Sequence, residues 1–136
     1  RHTIPGIICP PTRGYTQWES IVNDIRKQPK GSRTVVIGHS MGAASATYIA
    51  NAVPVDLVIL YDLAGQAPSR VGPNFGRVID IYDTVIDLVP EWRVQAQPGY
   101  ENRIERWTSQ YGHTGQDDSL DLARKVVIEV KKLASN

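Results

Sequence analysis

The run Gly38-His39-Ser40-Met41-Gly42 has the residue types and spacing best suited to chemistry in this sequence. Gly-x-Ser-x-Gly holds a serine on a sharp turn between a strand and a helix, with its hydroxyl exposed above a sheet. Glycines two before and two after leave room for that turn and for close strand–helix packing. The N-terminus of the following helix favours negative charge developing nearby. The pentapeptide alone is a weak signal. Its surroundings strengthen it, because the β-branched run 34–38 reads as a strand and the Ala-rich run 40–52 reads as a helix. A phosphate-cradling loop fits less well, since the run lacks both the P-loop Lys-Ser/Thr and the dinucleotide glycine spacing. The competing bland reading is a Gly-rich turn that only packs.

A serine hydroxyl needs a base, and the base needs an orienting acid. Three histidines are available. His2 lies at the start of the sequence. His39 adjoins Ser40 and points to the other side of the turn, as a packed structural residue. His113, in the loop Tyr111-Gly112-His113-Thr114-Gly115, can reach over the sheet edge and is the candidate general base. Sites in open parallel sheets form at the carboxyl ends of strands. Two aspartates end strands there, Asp62 and Asp83, with Asp87 following in a looser segment. Either of the first two gives the order Ser…Asp…His. Asp62 is preferred, because a long buried strand precedes it and Leu63-Ala64-Gly65 follows; Asp83 is the alternative. The bland reading of each is an aspartate capping a turn. An oxyanion hole needs two aimed N–H donors. Met41 supplies one. The other falls to Thr12, Arg13 or Gly14, in the loop 10–14 whose prolines offer no N–H.

These groups need a scaffold to hold them. Residues 3–9 read as a short apolar strand. Residues 16–28 read as a helix with Trp18, Ile21, Val22 and Ile25 on one face. Thr16 and Glu19 form a capping box at its start, and Pro29 and Gly31 stop it. Val55–Tyr61 is a continuous apolar strand, 63–74 a Gly/Pro-rich loop and 77–82 a further strand. Residues 119–134 form a closing amphipathic helix through Leu122, Ala123, Val126, Val127, Val130 and Leu133, with acids at its start and lysines at its end. Apolar strands alternating with helices imply a parallel sheet covered on both faces. The expected fold is therefore α/β, three-layered α/β/α, with a short, mostly parallel central sheet of four or slightly more strands. Residues 84–112 break the pattern. The stretches 92–96 and 103–108, around Pro98-Gly99, read as a hairpin or cap insertion. Within 91–111, Trp92, Tyr100, Trp107 and Tyr111 read either as an apolar wall over the site or as a small satellite core.

The bulk numbers suit one domain spanning 1–136. The 136 residues are 41% hydrophobic and 21% charged, with a net charge of +1. That balance argues against a nucleic-acid footprint and against a polybasic membrane patch. No apolar stretch reaches transmembrane length. Cys9, the single cysteine, permits no intrachain disulfide or thiolate zinc site and reads as a small core residue.

The motif and its following helix resemble the α/β-hydrolase superfamily, especially its small lipase- and thioesterase-like members. Val55-Asp56-Leu57-Val58-Ile59-Leu60-Tyr61-Asp62 is similar to the acid-bearing strand of a bacterial and phage branch. Residues 74–82 resemble that branch's next strand, and Gly112-His113-Thr114 resembles its histidine loop. The likeness runs from about residue 34 to the end and implies a Ser40–Asp62–His113 triad. Gly65-Gln66-Ala67-Pro68-Ser69-Arg70-Val71-Gly72, followed by a strand ending at Asp83, is similar to the fungal-type class 3 lipases. In that register Asp83 is the acid. The sequence departs from the superfamily in having one strand and one helix before the serine strand, where typical members have several more strands. The expected activity is hydrolysis of a small carboxylic ester or thioester through an acyl-enzyme, with no metal and no organic cofactor. An amidase or peptidase would use the same triad. The rival class is a non-catalytic binding domain on the same fold.

Overall fold

A computed structural model describes residues 13–63, 69–83, 93–109 and 120–134. Four strands form one sheet in chain order: β1 (Val35–His39), β2 (Val55–Tyr61), β3 (Phe75–Asp83) and β4 (Ile104–Ser109). Every neighbouring pair is parallel. Among the described residues three helices accompany them: α1 (Trp18–Arg26), α2 (Met41–Ala52) and α3 (Leu120–Ala134). The α/β class and the parallel sheet are as expected. The strand read at 3–9 lies outside the described residues.

Strand alternation sorts the side chains into two cores. Val36, Val58, Leu60, Val78 and Ile104 join a cluster with Val22 of α1 and Ala43, Ala46, Ile49 and Ala50 of α2. Val35, Leu57, Ile59, Ile79, Ile81 and Trp107 join Leu122, Val126 and Val130 of α3. Both faces of β2 are thus buried from Leu57 onward, which is why its sequence is apolar without a break from Leu57 to Tyr61. Fully burying an aliphatic side chain such as Val58, Ile59 or Leu60 is worth about 1.5–3 kcal/mol. The small residues of α2 let it sit close on the sheet.

Three local expectations change. A 3-10 turn, Tyr15–Gln17, precedes α1, so the helix starts at Trp18 and the Thr16–Glu19 box is not its cap. Instead the Gln17 side-chain oxygen accepts the Gly14 N–H at 3.2 Å. The hairpin read around Pro98-Gly99 does not form. Gly99 does turn the chain, at φ 92°, but Ile104–Ser109 leaves that turn to extend the sheet in parallel beside β3. Ala96 makes its own parallel bridge to Val71. Finally, Tyr100 and Trp107 belong to opposite cores and do not share a wall; Tyr100 packs with the α1–α2 cluster and Trp107 with α3. Trp92 and Tyr111 lie outside the described residues.

A charge pair between buried Asp80 and half-buried Arg106 holds the 93–97 segment. The Asp80 carboxylate, 1% exposed, accepts a hydrogen bond from Arg106 Nη1 at 2.6 Å and one from the Val94 N–H at 3.2 Å. Arg106 Nη2 also donates to the Val94 carbonyl at 2.8 Å. The sequence sign of this pair is an aspartate inside the apolar run Val78-Ile79-Asp80-Ile81.

Candidate active site

Ser40 stands alone between β1 and α2, at φ 57° and ψ −118°. Few L-residues adopt this backbone, and holding one there costs about 1–3 kcal/mol. Its N–H donates to the Tyr61 carbonyl at 2.9 Å, and its own carbonyl accepts from the Ala43 N–H at 3.1 Å. Those two bonds pin the turn between β2 and the first turn of α2. A serine at a helix N-cap ordinarily turns its hydroxyl back to the exposed N–H groups. Ser40 makes no such bond. The hydroxyl is therefore not employed as a cap, which weakens the packing-only reading.

The two glycines of the motif differ. A Cβ on Gly38 would lie 2.3 Å from the Gly42 carbonyl oxygen and 2.7 Å from the Ala43 Cα. Helix and strand approach there only because residue 38 has no side chain. A Cβ on Gly42 would meet nothing within 4 Å among the described residues. Room for close strand–helix packing is thus required at Gly38.

Asp62 follows β2 directly and is 5% exposed. Its φ is 48°, and Ser40 and Asp62 are the two non-glycine residues with positive φ among the described residues. His39 pairs with Tyr61 in the β1–β2 register. Ser40 and Asp62 therefore leave adjacent strands at the same level, where strands lie about 5 Å apart. The Asp62 N–H donates to the Ile81 carbonyl at 2.8 Å, which fixes this second strained residue against β3. Asp83 is the last residue of β3, opposite Ser109 of β4. It lies two strands from Ser40, about 10 Å across the sheet, and one residue further along. The candidate base His113 and the candidate donor Thr12 lie outside the described residues.

Met41 is the first residue of α2, so its N–H has no partner within the helix. Its side chain is 50% exposed. The second oxyanion donor is narrowed. Gly14 is corrected as a candidate, because its N–H is already given to Gln17. The Arg13 guanidinium pairs with Asp24 and reaches Ser20 Oγ at 3.5 Å, which ties this end of the loop to α1. The backbone N–H groups of Thr12 and Arg13 remain as the candidates. His39 occupies the strand parity of Val35, on the sheet face that carries α3.

The main surface ion pairs lie elsewhere. Arg77 of β3 bonds Glu105 of β4 and Glu129 of α3. Its hydrogen bond holds the Glu129 carboxyl below the usual glutamate range, and it does the same to Glu105. Beside them a groove of about 410 Å³ is lined by Trp107, Thr108, Lys125, Ile128 and Glu129. Among the described residues no group of His, Cys, Asp and Glu could hold a metal ion, and no helix is long and apolar enough to cross a membrane.

No family model, curated protein or solved structure matches the chain.

Proposed function

We propose that the chain is a serine hydrolase of the α/β-hydrolase type, in its three-layer form, acting on small carboxylic esters or thioesters. One observation carries this reading. The two strained non-glycine residues, Ser40 and Asp62, stand side by side at the carboxyl ends of adjacent parallel strands. Strain of this kind concentrates at functional sites, and that edge is where open parallel sheets bind ligands. In the proposed reaction Ser40 Oγ attacks the carbonyl carbon while His113 takes its proton. Asp62 holds the imidazole in the right tautomer and balances its charge. The Met41 N–H, with one from Thr12 or Arg13, receives the oxyanion. The tetrahedral intermediate collapses, the bond to the alcohol or thiol breaks, and that group leaves with the proton from His113. Water then attacks the acyl-enzyme as His113 takes its proton, and His113 returns that proton to Ser40 as the acid departs. Only protein groups and water take part.

A fluorophosphonate probe tests the serine. The wild-type chain is expected to label, and Ser40→Ala to lose the label. A chain that neither labels nor hydrolyses short nitrophenyl esters refutes the enzyme and leaves a binding domain. The acid has its own test. Asp62→Asn should slow labelling by about 10²–10⁴, and Asp83→Asn by less than tenfold. The reverse order moves the role to Asp83.

A further inference from the structure

Met41 is the only methionine in the chain. Methionine usually fills irregular gaps inside a core, yet Met41 belongs to neither core cluster and half of it meets solvent. It is covalently next to Ser40 and opens α2. An accessible thioether is open to dissolved hydroperoxides, and its oxidation replaces a flexible apolar group with a polar one.

We propose that Met41 is an oxidative modification site whose conversion to the sulfoxide slows the reaction of Ser40; this rests on the serine-hydrolase reading. In the step, a sulfur lone pair attacks one oxygen of the hydroperoxide. The S–O bond forms as the O–O bond breaks. Sulfur loses two electrons, the peroxide is reduced to water or an alcohol, and the proton moves to the departing oxygen. The new S–O dipole puts partial negative charge beside the position where the oxyanion must form. Its oxygen is also an acceptor, which competes with the oxyanion for N–H donors at the start of α2. The effect is reversible, because methionine sulfoxide reductases return the thioether.

The experiment treats the full chain with hydrogen peroxide, locates added oxygen by peptide mass, and measures the rate of fluorophosphonate labelling before and after. Oxygen should appear on Met41, and labelling should slow at least about tenfold, short of the 10²–10³ that deleting an oxyanion donor costs. Reductase treatment should restore both. Met41→Leu, compared with its own untreated rate, should keep its labelling through the same peroxide exposure. Sulfoxide at Met41 with an unchanged rate overturns the proposal. So does a loss that persists in Met41→Leu, which would belong to another group, Cys9 first. Absence of labelling before any peroxide is added refutes the hydrolase reading itself, and the switch with it.

Discussion

The rim where β1 and β2 end and the flank between β4 and α3 each gather polar and charged groups, but by different means. On the flank the side chains supply the polarity and neutralise one another. Arg77 answers Glu105 and Glu129, Lys132 adds to Glu129, and Lys125 lies 6.0 Å from the Trp107 ring. The strands there have no positive-φ residue. At the rim the backbone itself is unusual, twice, and the serine hydroxyl is withheld from the cap it could make. The flank has the groove and the charges, whereas the rim has the strain. Grooves and ion pairs arise wherever a helix meets a sheet edge. Two strained residues in register persist only where the surrounding structure enforces them.

Substitutions can break this contrast. The largest effect is expected at Gly38→Ala, where the new methyl meets backbone atoms that cannot turn aside. Urea unfolding should register a loss of about 3 kcal/mol or more. Gly42→Ala is the control within the same motif. It adds a methyl to a helical site in space open among the described residues and should gain about 0.5–1 kcal/mol. Equal losses at both would mean that the close contact at Gly38 is not what holds the turn.

Next in size is Ser40→Gly. Glycine accepts φ 57° without strain, so the variant should be more stable by about 1 kcal/mol while losing all labelling. Ser40→Ala keeps the strained backbone and should show no such gain. If both variants melt with the wild type, the rim is not under strain.

The smallest effect belongs to the flank. Because Glu129 and Glu105 titrate below the usual glutamate range when folded, their contribution is complete above the unfolded glutamate value. It is lost as pH falls through the lowered folded values. Arg77 and Glu105 are about half exposed, so solvent screens much of the interaction. Thermal melts from about pH 7 down to about pH 3 should show Glu129→Gln less stable by about 0.5–1 kcal/mol at the upper end. The difference should shrink toward the lower end. A constant difference across that range would assign the effect to packing of Glu129 rather than to its charge.

The parallel core was legible because β2 must be apolar on both sides, and Leu57–Tyr61 is. The serine turn was legible because Gly-x-Ser-x-Gly fell between a β-branched run and an alanine-rich one. The course of β4 was not. Pro98-Gly99 between two amphipathic stretches carries a local hairpin signal. What overrides it is long-range: β3 has an edge to fill, and Asp80 binds Arg106 and Val94 together. At the site, the sequence singled out Asp62 by its position after a long strand but could not reveal its positive φ. Nor could it show that Gln17 occupies the Gly14 N–H, since a side-chain rotamer decides that bond.

The strand order has a consequence for how the molecule comes into being. The sheet is laid down β1, β2, β3, β4, in the direction of synthesis. A nascent chain emerges N-terminus first, so each new strand finds its neighbour already outside the ribosome. None of these four strands must hold an open slot for a partner not yet made. The turn at Ser40 receives its bond from Tyr61 as soon as β2 emerges, and that rim can form while the β4–α3 flank is still being translated.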